Sequence, residues 1–440
     1  MPPAIAAITP PRIAAWLERW GPILPLLLAE LVVWLGFGAL LPILPLYFTA
    51  NGIDLAMLGI VVAAWPAARL VAEPVFGWIA DRTARKPLMV GALLATAAVI
   101  PLPLVFIGPG AFIVLRAAAG LATAAYDPAA RGFLVDSTPA ERHGEAFGLY
   151  GAAQMAGLLI GPAIGGLGTA FVGNQSFVFG FGAVSSAVAG LVIAAVVRER
   201  PGLRTGTGFP PEGVAEMSSS VPPSVPVPAD RPGPSSLLNR LLVTAIVINA
   251  GAFYASGTYE VVWSLFLTHM GAGLDLVGAT FATFGLPILL LSPAAGRLVD
   301  RRGGLAFVIA GALMAAIAGI LYTLISDPVL ALPIILFEST GIAFMSPALY
   351  AVVAAGSPAK RSSTAQGVFG AAGTIGFILS AIVAGQLASI DLRYPFWTFS
   401  AVMVVALVIG LAIGWRPIRA IRPAGATAAA ASKAERLPSA

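Results

Sequence analysis

Long apolar runs dominate the chain. The stretch 88–107 is one of a dozen that extend over roughly twenty or more residues with few charges. A helix of about 20 such residues crosses the hydrocarbon core of a bilayer. Composition points the same way. Of 440 residues, 58% are hydrophobic and 10% charged, and the mean hydropathy is +0.91. A soluble domain carries about a quarter charged residues, so this chain lacks the charge to cover a water-facing surface. It reads as an all-α integral membrane protein.

Twelve candidate spans lie near 24–48, 55–79, 87–107, 111–134, 145–170 and 176–197, then 240–268, 275–298, 305–325, 329–354, 364–388 and 393–414. They divide into two six-helix bundles, 24–197 and 240–415. Between the bundles, 198–239 contains VPPSVPVPADRPGPSS, a Pro/Ser-rich composition expected of a flexible linker. The start, 1–23, lacks the basic and short apolar regions of a cleaved signal and is read as a lead-in. The end, 416–440, is expected to be a disordered tail.

Lys and Arg set the orientation. With an even number of spans both ends lie on one side. That side carries Arg12, Arg19, Arg82, Arg85, Lys86, Arg142, Arg198, Arg200, Arg204, Arg301, Arg302, Lys360, Arg361, Arg416, Arg419 and Arg422, while Arg393 is almost alone opposite. Both termini and the linker are therefore expected in the cytoplasm, with the chain in the cell (inner) membrane.

The two halves repeat. Gly77 and Asp81 in GWIADR match Gly296 and Asp300 in GRLVDR at an offset of 219, and Pro128, Pro139 and Gly148 match Pro347, Pro358 and Gly367 at the same offset. GLYGAAQMAG (148–157) aligns without gaps on GVFGAAGTIG (367–376). Even-numbered halves have the same orientation, which is the parallel-repeat plan of many secondary transporters.

Four motifs narrow the reading. GWIADRTARKP (Gly77–Pro87) joins spans 2 and 3; GLLIGPAIGG in span 5 contains Gly157, Gly161, Pro162, Gly165 and Gly166; LRAAAG in span 4 contains Arg116; and LPILP (Leu41–Pro45) pairs two prolines late in span 1. Together they resemble the major facilitator superfamily, in particular its twelve-helix drug:proton antiporter branch. The first resembles its loop signature, with Ala84 where glycine is usual, the second its span-5 antiporter motif, the third its span-4 motif and the fourth the paired prolines ending span 1. The resemblance covers residues 20–415.

The resemblance implies two six-helix bundles, with spans 1, 4, 7 and 10 lining a central cavity. It also implies a conformational latch at the loop signature. Asp81 would sit at the N-terminus of span 11 near Ser362–Thr364, where backbone amides favour an anion. Arg85 would pair with Asp136, leaving Arg82 and Lys86 mainly as orientation signals. The second copy, Gly296, Asp300 and Arg301, lacks the later Arg-Lys pair. In span 5, glycines spaced by four leave one face bare for close helix approach, and Pro162 breaks one backbone hydrogen bond.

Ionisable residues inside spans are costly, about 2.5–3.5 kcal/mol each at a helix centre, and face a bundle interior or wet cavity. Here they are Glu30, Arg69, Glu73, Arg116, Asp127, Glu260 and Glu338. Arg69 and Glu73, four apart, are placed to pair. Glu30 and Asp127 belong to the cytoplasmic half of the membrane, and Arg116, Glu260 and Glu338 to the outer half. A carboxyl group in an apolar cavity can exchange protons near neutral pH. Trp34, Tyr126, Tyr254, Tyr259, Trp263 and Phe284 lie near these acids in sequence and offer cation–π contacts to a lipophilic or cationic substrate.

Several classes are excluded or disfavoured. The absence of cysteine removes disulfides and thiol chemistry. The two histidines, His143 and His269, are too isolated for a metal site, and no cofactor is expected. GPAIGG lacks the Lys-Ser/Thr of a phosphate-binding loop, so neither ATP nor nucleic acid is an expected partner. No nucleophile–base constellation points to an enzyme. The expected function is alternating-access secondary transport by a monomer, as proton-coupled export of a small organic compound. A proton-coupled importer of the same fold is the first alternative, and a non-transporting receptor or scaffold the second.

Overall fold

The computed structural model describes residue 16 and residues 19–139, 142–197, 238–358 and 362–419. Nearly all of the proposed linker and of the tail, most of the lead-in and the basic residues Lys360 and Arg361 lie outside the described residues.

The described chain forms twelve spans in two bundles. Span 1 is a broken helix, Leu24–Leu40 followed by Leu44–Ala50, bent by 40°. Pro42 has no amide to continue the helix, and Pro45 sits in the first turn of the second piece. Spans 2 to 6 are Leu55–Arg82, Arg85–Val99, Pro109–Ser137, His143–Val172 and Ser176–Val196. Spans 7 to 12 are Arg240–His269, Leu274–Arg302, Leu305–Tyr322, Ala331–Gly356, Ser362–Ala388 and Tyr394–Arg419.

Several boundaries differ from expectation; spans 2, 4 and 8 run on to Arg82, Ser137 and Arg302, past 79, 134 and 298. Span 3 ends at Val99, not 107, because Pro101 and Pro103 divert the chain into a short 3-10 turn, Leu102–Leu104. Span 9 ends at Tyr322, not 325. Span 12 continues to Arg419, beyond 414, because Ile418 is buried against the second bundle. The end of the lead-in also belongs to the first bundle, since Trp20 and Ile23 are buried in its core. At the other junction, Asn239 caps span 7 by accepting from Leu241 and Leu242 N at 3.1 and 3.2 Å, and donates to Gly356 O at 2.6 Å.

Val71 and Val75 of span 2, Val184 and Leu191 of span 6, and Val405 and Val408 of span 12 are exposed. Such bare apolar flanks belong in lipid, whereas backbone groups are satisfied inside each helix.

Glycine sets how closely the helices approach, and it does so twice. A Cβ on Gly157 would stand 2.7 Å from Leu31 O, and one on Gly376 would stand 2.5 Å from Ala250 O. Both members of the second pair lie 219 residues after those of the first. The sequence repeat is thus a repeat of packing.

Among the described residues the two halves meet on one face. We call the face where span 1 begins and span 12 ends the terminal face, and the other the distal face. On the distal side a single apolar core runs through both halves, from Ile43, Phe48 and Leu58 to Val262, Phe266 and Ala384. On the terminal side each half has its own core, one around Tyr126, Phe133 and Ile193, the other around Ile248, Val308 and Met345. Span 2 seats on span 11 distally, where a Cβ on Gly385 would come within 2.5 Å of Leu55 O. Span 5 seats likewise on span 8, Gly278 against Pro162 O. At the terminal end, a Cβ on Gly148 or Gly296 would meet nothing within 4 Å. The central cavity therefore opens toward the terminal face.

Candidate functional site

Glu30, fully buried on span 1, is held by three neutral donors. Trp34 Nε1, one turn later on the same helix, donates at 2.8 Å and Gln154 Nε2 of span 5 at 2.7 Å, both to Oε1. The Tyr126 hydroxyl of span 4 donates to Oε2 at 2.6 Å. The equivalent position in the second half, 219 residues on, is Asn249, which donates to Phe369 O at 3.0 Å. The charge-bearing group is thus an addition to one half of a shared frame.

Glu338 of span 10 has a similar setting. It is 1% exposed. The Tyr259 hydroxyl of span 7 lies 2.7 and 2.8 Å from its two oxygens, and the Tyr322 hydroxyl of span 9 donates to Oε2 at 2.8 Å. Tyr259, Trp263 and Tyr322 pack edge-on around it, with Trp263 and Tyr322 centroids 4.9 Å apart. Trp263 is oriented by its bond to Thr280 Oγ1 at 2.9 Å. Among the described residues no cation pairs with Glu30 or Glu338.

The other intramembrane acids do pair with cations. Arg69 bonds Glu73 at 2.7 Å through Nε and forms an ion pair with Asp127 across to span 4. The sequence reading treated Asp127 as a separate candidate acid, but in the fold it shares one guanidinium with Glu73. Arg116 Nη2 lies 2.9 Å from Glu260 Oε1, and both side chains are 10% exposed. This pair joins span 4 of one half to span 7 of the other. Arg69 and Arg116 both lie near the Trp65 ring, at 4.8 and 5.8 Å from its centroid.

The larger cavity lies between the halves and holds about 1670 Å³ of unfilled space, counting the part open to solvent. Trp34, Phe284, Tyr259, Trp263, Glu260 and Glu338 line it. Tyr254 is not among its lining residues and packs on the distal core. Spans 5 and 8 also contribute, through Met155, Pro162, Phe281 and others, beyond the four spans expected. Gln154, Tyr322 and Trp65 were absent from the sequence-based candidates. Tyr322 stands at a helix end, where an aromatic residue usually reads as an interface anchor.

The family model of the Major Facilitator Superfamily matches residues 26–275 and 245–438. The chain belongs to that superfamily. As a member it is a multi-pass membrane transporter and not an enzyme. Multidrug resistance protein 2 of Bacillus subtilis (strain 168) is 24% identical over 407 residues, covering 88% of this chain and 92% of its own length. The solved nucleoside transporter NupG matches with a TM-score of 0.71 at 16% identity, over 89% of this chain and 98% of that one. A bacterial homologue of the human lysosomal transporter Spinster, solved inward-facing and occupied, matches with a TM-score of 0.69 at 14% identity, over 90% and 96%. At such identities the solved structures speak for the fold alone.

The superfamily's loop signature is split in this transporter. Arg85 Nε stands 3.1 Å from Asp136 Oδ2. Lys86, expected as an orientation signal, also donates to Val197 O at 2.8 Å, capping the end of span 6. Arg82 folds back over the Trp78 ring at 4.1 Å. Asp81 is exposed and bonds to none of the described residues. The side chains of Ser362 and Ser363, its expected neighbours, and of Asp300 in the second copy lie outside the described residues. Gly77 packs loosely, with Pro128 Cβ 4.0 Å from where its Cβ would be, and Arg301 is exposed. In the span-5 motif, Gly157, Gly161 and Gly165 seat span 1, and Gly166 seats span 8.

Proposed function

We propose that this transporter exports small lipophilic, preferentially cationic compounds in exchange for protons. It would work as a monomer in the inner membrane, with both termini cytoplasmic. The observation that carries the reading is the setting of Glu30 and Glu338: two buried carboxyl groups bonded only to neutral donors, Glu338 lining the aromatic-walled space and Glu30 bonded to Trp34, which lines it.

That setting suits proton exchange. A carboxylate with no cation loses its charge by taking a proton, and the new O–H must find an acceptor. At Glu30, Oε1 keeps its two donors in either state. A proton on Oε2 turns the bond with Tyr126 round, since a tyrosine hydroxyl accepts as well as donates. At Glu338 the Tyr259 and Tyr322 hydroxyls supply the same freedom. Neither protonation state leaves a buried polar atom stranded, which would cost about 1–3 kcal/mol.

Glu260 and Glu338 facing the cavity beside Tyr259 and Trp263 suit a lipophilic cation. With the halves joined distally, substrate enters from the terminal side. Release on the far side requires the halves to part distally and to close over Asp81 at span 11. The homologue of Bacillus subtilis whose name denotes multidrug resistance supports the outward direction.

The test separates coupling from binding. In proteoliposomes, Glu30→Gln and Glu338→Gln should each lose pH-gradient-driven accumulation of ethidium yet retain its counterflow, which needs no net proton movement. Unchanged gradient-driven uptake in both single variants and the double variant would refute the proposal.

A further inference from the structure

The cavity between the halves has two unlike walls. The first half lends it apolar side chains such as Phe37, Leu41, Met155 and Leu158, and the indole nitrogen of Trp34, which is spent on Glu30. The second half lends it Ser256, Tyr259, Glu260, Glu338 and Ser346. Several polar groups of that wall are already in use. The Tyr259 and Tyr322 hydroxyls serve Glu338, and Glu260 serves Arg116.

Ser256 of span 7 and Ser346 of span 10 differ from these. A serine inside a helix can turn its hydroxyl back onto the carbonyl four residues earlier. Ser339 does so to Ile335 O at 2.7 Å and Ser400 to Phe396 O at 2.9 Å. The hydroxyls of Ser256 and Ser346 bond to none of the described residues, and neither is sealed away from the cavity it lines. Both residues are half-buried. A polar group taken from bulk water without a partner is costly, so the contents of the cavity must supply one. Both hydroxyls stand on the terminal side of the carboxyl groups. Ser256 precedes Glu260 by one turn, about 6 Å of helix rise, and Ser346 follows Glu338 by two, about 12 Å. The first half has no match for them. The counterparts 219 residues earlier are Phe37, which is apolar, and Asp127, which is paired with Arg69.

From this geometry we propose that the substrate is a one-sided lipophilic cation, with its charge at Glu260 and Glu338 and with hydrogen-bonding groups, about 6–12 Å from that charge, held by Ser256 and Ser346. Its bare face rests on the first half. Ser256 and Ser346 are thus specificity-determining residues. When the halves part, the hydrogen bonds to the substrate stay with the second half, and the first half gives up apolar contacts alone. The inference rests on the reading of this cavity as a site for lipophilic cations, but it needs neither export nor proton exchange.

Equilibrium dialysis of the purified full-length protein, at one pH, compares two cations. Ethidium carries two amines on its ring; 5-ethyl-6-phenylphenanthridinium has the same ring and charge without them. The unmodified chain should bind ethidium at least roughly tenfold more tightly than the analogue. Ser256→Ala and Ser346→Ala should each raise the ethidium Kd roughly threefold to tenfold and shift the analogue Kd by less than about twofold. Retained binding of the analogue also reports that the variants are folded. Met155→Ala, on the apolar wall, should weaken both cations alike. Equal affinity of the unmodified chain for the two cations would overturn the assignment of the serines and leave the cation reading standing. So would unchanged ethidium affinity in either serine variant, or an equal loss for both cations there. No saturable binding of either cation would overturn the cation reading, and this inference with it.

Discussion

Replacing Arg116 by glutamine should shift the balance between the two orientations of the cavity. Arg116–Glu260 is the ion pair that joins the halves among the described residues, at 2.9 Å and 10% exposure of each side chain. Parting the halves distally breaks it. Removing one member of a fully buried pair costs about 3–5 kcal/mol, because the other charge is left uncompensated. Here Glu260 borders a cavity, where water or a proton can relieve it, so the range for a charged hydrogen bond, about 1.5–3 kcal/mol, applies. The ratio of distally closed to distally open molecules should then fall roughly 10- to 150-fold. The chain has no cysteine, so paired spin labels on introduced cysteines report distances cleanly. Val172 with Asp275 samples the distal face, and Arg142 with Arg301 the terminal face; all four are exposed. Arg116→Gln should lengthen the first distance distribution and shorten the second. Unchanged distributions on both faces would refute the reasoning.

Gly161→Val should destabilise the first bundle by about 1–3 kcal/mol or more, since its Cβ would stand 2.7 Å from Leu35 O, a backbone atom that cannot swing away; thermal unfolding in detergent reads the loss. Asn239→Ala removes the cap of span 7 and its bond to Gly356, and should cost roughly 0.5–2 kcal/mol in the same assay. Asp81→Ala should lower transport while leaving membrane insertion intact, and normal transport rates in that variant would dismiss the latch.

Hydropathy made the span count readable because a bilayer demands length and apolarity together. The glycine steps of 157, 161 and 165 were readable for a related reason: close helix approach requires a missing side chain at a helical period. Arg69 and Glu73 could be paired by their spacing along one helix. Asp127, which joins them, and Gln154, which joins Glu30, could not, because each comes from another span. Helices that are apolar all round carry no stripe to tell which face turns inward. That is why Tyr254 was placed at the cavity although it packs distally, and why Tyr322 was passed over.

Proton movement measured alongside substrate movement tests the central claim most directly. Proteoliposomes would hold a luminal pH dye and expose the terminal face outward, with ethidium added outside an acidic lumen. Exchange predicts that the lumen becomes more alkaline in step with ethidium accumulation, and that Glu30→Gln with Glu338→Gln abolishes both. Accumulation with no luminal pH change, or with further acidification, would contradict proton exchange as the driving reaction.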